Sequence, residues 1–523
     1  MATRKPGLLV FALLLCAAPV FSQTKTPPAQ QKQVAPADKL QGIDALAEKA
    51  MQEWKVPGLA IAMVQDGKVI YTKGYGYRDV DKKLPVTPDT LFAIGSITKS
   101  FTSLTFAMLN DEGKVDWDKP VREIVPDFTL YDEVATARAT PRDLFSHRTG
   151  LPRHDLVWYS SDFSRADLVH RVRFLKPSKD FRTTYQYNNL MMMTMGYAEE
   201  KITGKPWESI IKERILGPLD MGRTVFSVHD LETADNAALG YDLRNEAATH
   251  VPYHNIDPIG PAGSINSCVS DMSRYVIFHL GDGTWQGKRL VSEANLRMVH
   301  SPQTVVPDPP PDVRFTEIGH TAYALAWGAT SYRGHDVVTH SGGIDGFNAL
   351  LTMLPDNHIG VIVLTNISSQ RASDILTYNA FDRLLGLDQI AWIDRYKALR
   401  AKQKQQQEEA KKKKADERKS GTHPSHDVKD YAGNFEHPGY GVLKISLNGD
   451  KLEASLNGVL GPFPLAHRQY DMFEIPEDST SALAGTVFDF HVDQKGNIGS
   501  LSAPFEPALS EEIVFIRAPE KKP

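Results

Sequence analysis

Three groups of residues have types and spacings that could do chemistry together. Ser96 and Lys99 stand one helical turn apart in "LFAIGSITKSFTSLTF"; Tyr187 and Asn189 lie in "TTYQYNNLMMMTMGYAEE"; and His340, Ser341, Gly342 and Gly343 lie in "VVTHSGGIDGF". A serine hydroxyl attacks a carbonyl at neutral pH only if another group takes its proton. A lysine can do so only if its pKa falls, which burial and nearby positive potential both promote. With Gly95 letting the chain turn into a helix, Lys99 would share a face with Ser96. The positive end of the helix dipole would then disfavour an ammonium and favour an alkoxide.

Spacing alone does not carry this reading. S-x-x-K recurs at Ser22 and Ser209, Y-x-N at Tyr253 to Asn255, and H-x-G at His358 to Gly360 and at His437 to Gly439. Ser96 could equally be an N-cap serine followed by a solvated lysine, Tyr187 a core residue and His340 an edge-strand residue. Context separates the copies. Behind Ser96, "FTSLTFAML" is apolar enough to bury its helix, whereas Ser209 and Lys212 sit in "WESIIKERILGPL", an amphipathic surface helix.

The elements that must position these residues can be read from periodicity. "IDALAEKAMQEW" places Ile43, Leu46, Ala47, Ala50 and Trp54 on one helical face, with Pro57 and Gly58 beyond its end. "GLAIAMVQDGKVIYTKGYGY" reads as a hairpin around Asp66-Gly67. Residues from about 100 to 235 read as mostly helical. "VVTHSGG" and "GFNALLTMLPDNHIGVIVLTN" read as a strand and a hairpin turning at Pro355 to Asn357, and "ASDILTYNAFDRLLGL" as a closing helix. The prediction is an α+β domain over 39–395, its antiparallel sheet built from the first and last segments and flanked by helices, with a helical subdomain between.

Residues 396–426 form a charged linker with almost no apolar period, read as a solvated helix or a disordered segment. From 427 to 518 the pattern alternates: Leu443, Ile445 and Leu447, then Leu452, Ala454 and Leu456, then Phe488, Phe490 and Val492. This predicts a small all-β, barrel-like domain with a structural, oligomeric or lid-forming role.

At the N-terminus, Arg4 and Lys5 precede "LLVFALLLCAA", which reads as a signal peptide over 1–22 and export to the periplasm or beyond, followed by a flexible lead over 23–38. Leu15 before Cys16 is bulkier than a lipid-attachment signal wants. The apolar run is too short to span a bilayer comfortably and no second one follows, so no integral membrane segment is expected after cleavage. Only Cys268 would then remain, which leaves no intramolecular disulfide and no cysteine cluster for a metal. At 523 residues the chain exceeds one ordinary core, and a net charge of −5 gives no electrostatic case for nucleic acid.

The order and surroundings of the motifs resemble the serine hydrolases of the class C β-lactamase and penicillin-binding-protein superfamily, with its D-aminopeptidase, D,D-carboxypeptidase and esterase branches. Over residues 39 to about 390 the resemblance rests on "VPGLAIAMVQDGKVIYTKGYGYRDV", "FAIGSITKSFTSL", "EGKVDWDKPVREIVPDF", "TPRDLFSHRTGLP", "YQYNN", "PAGSINSCVSDMSRY" and "HSGGIDGFNALLTMLPDNHIGVIVLTN". It implies that Ser96 is the acylated nucleophile and that Lys99 and Tyr187 share proton transfer, with the base unassigned. It also implies that Asn189 bonds Lys99 and the substrate's acyl-side amide. His340, Ser341, Gly342 and Gly343 would line the substrate, with the backbone N–H groups of Ser96 and Gly343 as oxyanion hole. No metal or organic cofactor is implied.

Where many relatives open the strand motif with lysine, this chain has His340, a neutral donor near pH 7. That favours an esterase or peptidase over a true β-lactamase. The alternative of another class is a non-catalytic penicillin-binding or assembly protein. His147 is read as ordering a loop, Trp158 and Tyr159 as acyl-pocket or core aromatics, and the C-terminal domain as a homo-oligomer contact.

Overall fold

The computed structural model describes residues 36–369, 371–479 and 483–519. The signal peptide and most of the lead fall outside them. The last lead residues are not extended but belong to a short helix, Pro36–Lys39.

The main sheet has nine antiparallel strands: β1 (Gly58–Gln65), β2 (Lys68–Asp79), β3 (Leu84–Pro85), β4 (Thr304–Val305), β5 (Ala322–Tyr323), β6 (Gly328–Tyr332), β7 (His335–Ile344), β8 (Phe347–Leu354) and β9 (Ile359–Thr365). Their order is β4-β5-β6-β7-β8-β9-β1-β2-β3. The early and late segments thus share one sheet, joined where Leu59 pairs with Thr365 and Gln65 with Ile359. The β1–β2 turn is made by Asp66 and Gly67, both at positive φ, as an Asp-Gly hairpin requires.

Alternation along β1 explains why both faces of this sheet are covered. Leu59, Ile61 and Met63 pack with helix α1 (Ile43–Trp54) and the C-terminal helix Arg371–Leu385, whereas Ala60, Ala62 and Val64 join the core of the helical region. That region is organised by α2 (Thr98–Asp111), whose first twelve residues are all buried, and by α3 (Asn189–Thr203). The many hydroxyls of α2 are satisfied: Thr102 donates to the Pro261 carbonyl, Ser103 to that of Leu325, and Thr105 to Glu199.

The charged segment is a helix, Trp392–Asp416. Only its start is apolar, and there Trp392, Ile393 and Tyr396 enter the core around α1. Beyond it, eight strands from Gly433–His437 to Ile513–Arg517 close into a barrel, Phe435 and Glu436 of the first pairing with Arg517 and Ile516 of the last. Leu443, Ile445, Leu452, Ala454, Leu456, Phe488 and Phe490 fill it. Leu447 and Val492, expected inside, are 44% and 45% exposed, because each sits at a strand end where the barrel interior has run out. No helix among the described residues is long and apolar enough to cross a membrane.

Candidate active site

Gly95 has φ +49, a conformation glycine adopts at little cost, and it starts the tight turn Gly95–Ile97 that delivers Ser96 to the head of α2. Lys99 Nζ lies 2.9 Å from Ser96 Oγ and 2.7 Å from the Ala262 carbonyl oxygen. The lysine side chain is fully buried. Burial holds its pKa well below the lysine range; the positive charge of Arg153 pushes it down further and Asp155 opposes. The Tyr187 ring centroid lies 4.8 Å from Lys99 Nζ. Burial raises the Tyr187 phenol, and hydrogen bonding with Ser96 and the charge of Arg153 pull it back in part.

Strand β7 forms the opposite wall. Its partner β6 ends at the Gly328–Thr339 pair, so residues 340–344 pair only with β8 and leave one edge toward the Ser96 turn. The approach is close: a Cβ on Gly342 would stand 2.8 Å from the Ser96 nitrogen, and one on Gly95 2.7 Å from the Gly343 nitrogen. The amides of Ser96 and Gly343 therefore share one wall of a cavity of about 450 Å³, lined also by Arg153, Tyr187, Tyr323 and His340.

Histidine 340 is buried and fully engaged. Its Nδ1 is 2.6 Å from the Ser341 carbonyl, which can only accept, so Nδ1 carries the hydrogen and Nε2 accepts from the Tyr323 hydroxyl at 2.8 Å. Burial above all, with a further push whenever Lys99 is protonated, lowers its pKa to about 3, so it is neutral at pH 7. Strand alternation sets the Ser341 side chain on the other face, where it lines a separate cavity with Thr352, Asp374 and Thr377. Ser341 thus offers main chain to the site.

Asn189 differs from expectation. Its Nδ2 donates to Asp155 Oδ1 at 3.0 Å, and Lys99 Nζ spends its hydrogen bonds on Ser96 and the Ala262 carbonyl instead. Trp158 Nε1 donates to the same oxygen at 2.8 Å, and Tyr159 donates to Asp345; neither aromatic lines the Ser96 cavity. His147 accepts the Asn188 N–H at Nδ1 and its carbonyl accepts the Gln186 N–H, which fixes the segment carrying Tyr187. Cys268 is a free, buried thiol, pushed up to about 12 by burial.

Arg153, Tyr185 and Tyr323 also line the cavity; Tyr185 opens the "YQYNN" landmark two residues before Tyr187, and the local sequence around Tyr323 does not announce it. Arg153 directly follows the "SHRTGLP" landmark, the one signal that points toward it. Tyr323 arrives by tertiary packing.

A buried lysine on a serine hydroxyl, set against the open edge of an antiparallel sheet, defines an active-site-serine hydrolase of penicillin-binding-protein-like fold. The Beta-lactamase family model matches residues 43–384, and the chain belongs to that family as a serine hydrolase. Residues 417–516 match a domain of unknown function, DUF3471. An unguisins hydrolase of Aspergillus campestris is 30% identical over 498 residues, covering 90% of each chain. One from Aspergillus violaceofuscus is 31% identical over 434 residues, 76% of this chain and 75% of that one. Protein flp of Staphylococcus aureus is 28% identical over 342 residues, 64% of each. Among solved structures, the octameric penicillin-binding protein homologue from Pyrococcus abyssi superposes with a TM-score of 0.60 at 23% identity, over 90% of this chain and 99% of that one.

Proposed function

We propose that the chain is an exported hydrolase of amides or esters, a D-amino-acid peptide or carboxylester among them, working through an acyl-enzyme on Ser96. The observation that carries this reading is the 2.9 Å contact between Ser96 and a fully buried lysine whose pKa burial holds well below the usual lysine range. A neutral amine has two N–H groups and one lone pair. At rest Lys99 Nζ donates to the Ser96 hydroxyl and to the Ala262 carbonyl; once deprotonated, its lone pair takes the Ser96 proton, and we assign it as the base. Tyr187, its phenol raised, gives its proton to the leaving group and regains one from Lys99, which has taken it from Ser96. Ser96 Oγ bonds the carbonyl carbon, the N–H groups of Ser96 and Gly343 receive the oxyanion, the leaving group departs, and water cleaves the acyl-enzyme. His340, Ser341, Gly342 and Gly343 border the substrate, Ser341 by its main chain, and Asn189 supports the site through Asp155.

The neutral, internally bonded His340 supports an esterase or peptidase over a β-lactamase, and the two relatives named unguisins hydrolases support catalysis over a purely binding role. Initial rates on p-nitrophenyl esters, D-alanyl p-nitroanilide and nitrocefin, with Ser96→Ala as blank, test it. Fastest turnover of nitrocefin would reverse the order, and no difference from the blank would reject catalysis by Ser96. The basic and apolar N-terminal pattern supports export, checked by the mature N-terminus of the extracytoplasmic protein. Outward Val514 and Ile516 on the last barrel strand support self-association there, checked by light scattering.

A further inference from the structure

Resting on the reading of Ser96 as nucleophile, we infer that Arg153 selects substrates carrying a carboxylate, and that the C-terminal barrel holds it in position through His154. Arg153 lines the Ser96 cavity, its guanidinium 5.1 Å from the Tyr187 ring centroid. Its Nε donates to Asp155 Oδ2 at 2.6 Å, while Nη1 and Nη2 make no hydrogen bond among the described residues. Asp155 is occupied on both oxygens, by Arg153 on one and by Trp158 and Asn189 on the other. It orients the guanidinium and leaves the fork of donors to a ligand, the geometry that carboxylates accept in bidentate fashion.

The other basic groups of the cavity do not compete for that ligand. Lys99 is committed to Ser96 and Ala262, and the one N–H of neutral His340 is spent on the Ser341 carbonyl. A carboxylate entering this cavity meets permanent positive charge at Arg153 alone among the cavity-lining residues.

The next residue ties Arg153 to the barrel. His154, buried and at φ +46, donates its backbone N–H to Glu506 at 2.5 Å. Its Nε2–H donates to the Lys176 carbonyl at 3.0 Å, so its Nδ1 accepts the Tyr440 hydroxyl at 2.7 Å. Glu506 and Tyr440 belong to the barrel domain and are themselves buried. The barrel therefore grips the main chain and the side chain of the residue between Arg153 and Asp155. Arg171, donating to the Pro438 and Gly439 carbonyls, and Lys176, paired with Glu511, extend the same contact. The C-terminal domain thereby acquires a role in the chemistry of the other, positioning the recognition arginine of the hydrolase domain.

Isothermal titration of the full chain with N-acetyl-D-alaninate and with its neutral amide tests both parts. The carboxylate should bind about ten- to hundredfold tighter than the amide. Arg153→Met should erase that ratio and Arg153→Lys should restore part of it, as a point charge without the fork. Tyr440→Phe, which keeps the ring, and Tyr440→Phe combined with Glu506→Gln should shrink the ratio progressively while thermal melting stays cooperative. Equal or absent binding of the two ligands, or an unchanged ratio in Arg153→Met, overturns the role of Arg153. An unchanged ratio in both barrel variants overturns the role of the barrel. Fluorophosphonate labelling of the same preparation keeps the two readings apart: a labelled Ser96 without carboxylate preference rejects this inference alone, and an unlabelled Ser96 rejects the nucleophile.

Discussion

Gly342 lies so close to Ile94 that a Cβ added to it would overlap the Ile94 carbonyl oxygen. No side chain fits there, and the obstacle is backbone, which cannot swing aside as a flexible side chain could. Gly342→Ala would therefore push the end of β7 away from the turn that carries Ser96, separating the two amides that share the cavity wall. The expected result is a fall in kcat of about a hundredfold or more, with unfolding changed far less. A variant that keeps near-normal turnover would show that Gly343 does not serve the oxyanion.

Lys99 is a base only while neutral, so kcat/KM should fall on the acid side as Lys99 takes a proton. The charges around it give the sign of two further shifts. Arg153 lowers its pKa and Asp155 raises it. Arg153→Met should accordingly move the acid limb to higher pH, and Asp155→Asn to lower pH. Profiles of kcat/KM on p-nitrophenyl acetate measure both, and movement in the same direction would exclude Lys99 as the titrating group. Lys99→Met itself should cost about 10²- to 10⁴-fold.

Much of this site is legible in the sequence because it is local. Ser96 and Lys99 are one turn apart and Asp66-Gly67 dictates its own hairpin, whereas Gly342 is required by the distant backbone of Ile94. Arg153 is hidden there because an arginine after a turn looks like any solvated charge until Asp155, Trp158 and Asn189 are folded around it. The partner of Asn189 is hidden for the same reason: the carboxylate that its Nδ2 bonds lies 34 residues away. His154 gives no signal at all, since its Tyr440 partner is 286 residues distant in another domain.

Several histidines are buried neutral, and this sets the acid stability. His340 is lowered to about 3 and His300 to about 4, in both cases chiefly by burial, and burial also lowers His147 and His279. In the unfolded chain each takes up a proton near its ordinary value of 6.5, which the folded chain does not. The unfolded state then binds more protons, so stability is full above that value and declines as pH falls, down to about 4 for His300 and about 3 for His340, at up to about 1.4 kcal/mol per pH unit for each histidine. Urea titrations at pH 7, 6 and 5 should show a steadily falling midpoint. A midpoint that is flat or rises on acidification would mean that these imidazoles are solvated.

The strongest single stability effect should come from Asp143, which no solvent reaches. One of its oxygens accepts from Arg148 and Arg182, the other from Arg182 again and from the backbone and hydroxyl of Thr140. These bonds hold the carboxyl below its usual range against the opposing cost of burial. Asp143→Ala would strand two guanidinium groups over a hole and release the Thr140 capping box, costing about 3–5 kcal/mol. Glu293, paired with Arg297 on the surface and 53% exposed, is the comparison, and Glu293→Gln should change stability by no more than about 1 kcal/mol. The loss at Asp143 should also reach catalysis. Arg148 follows His147, and His147 holds the segment bearing Tyr187, so the variant should lose turnover even in conditions where it remains folded. Chemical denaturation followed in parallel with kcat measures both effects. A cost near that of Glu293→Gln would show that the buried pair is dispensable to the fold, and unaltered kcat in the folded variant would show that Tyr187 is fixed by other contacts.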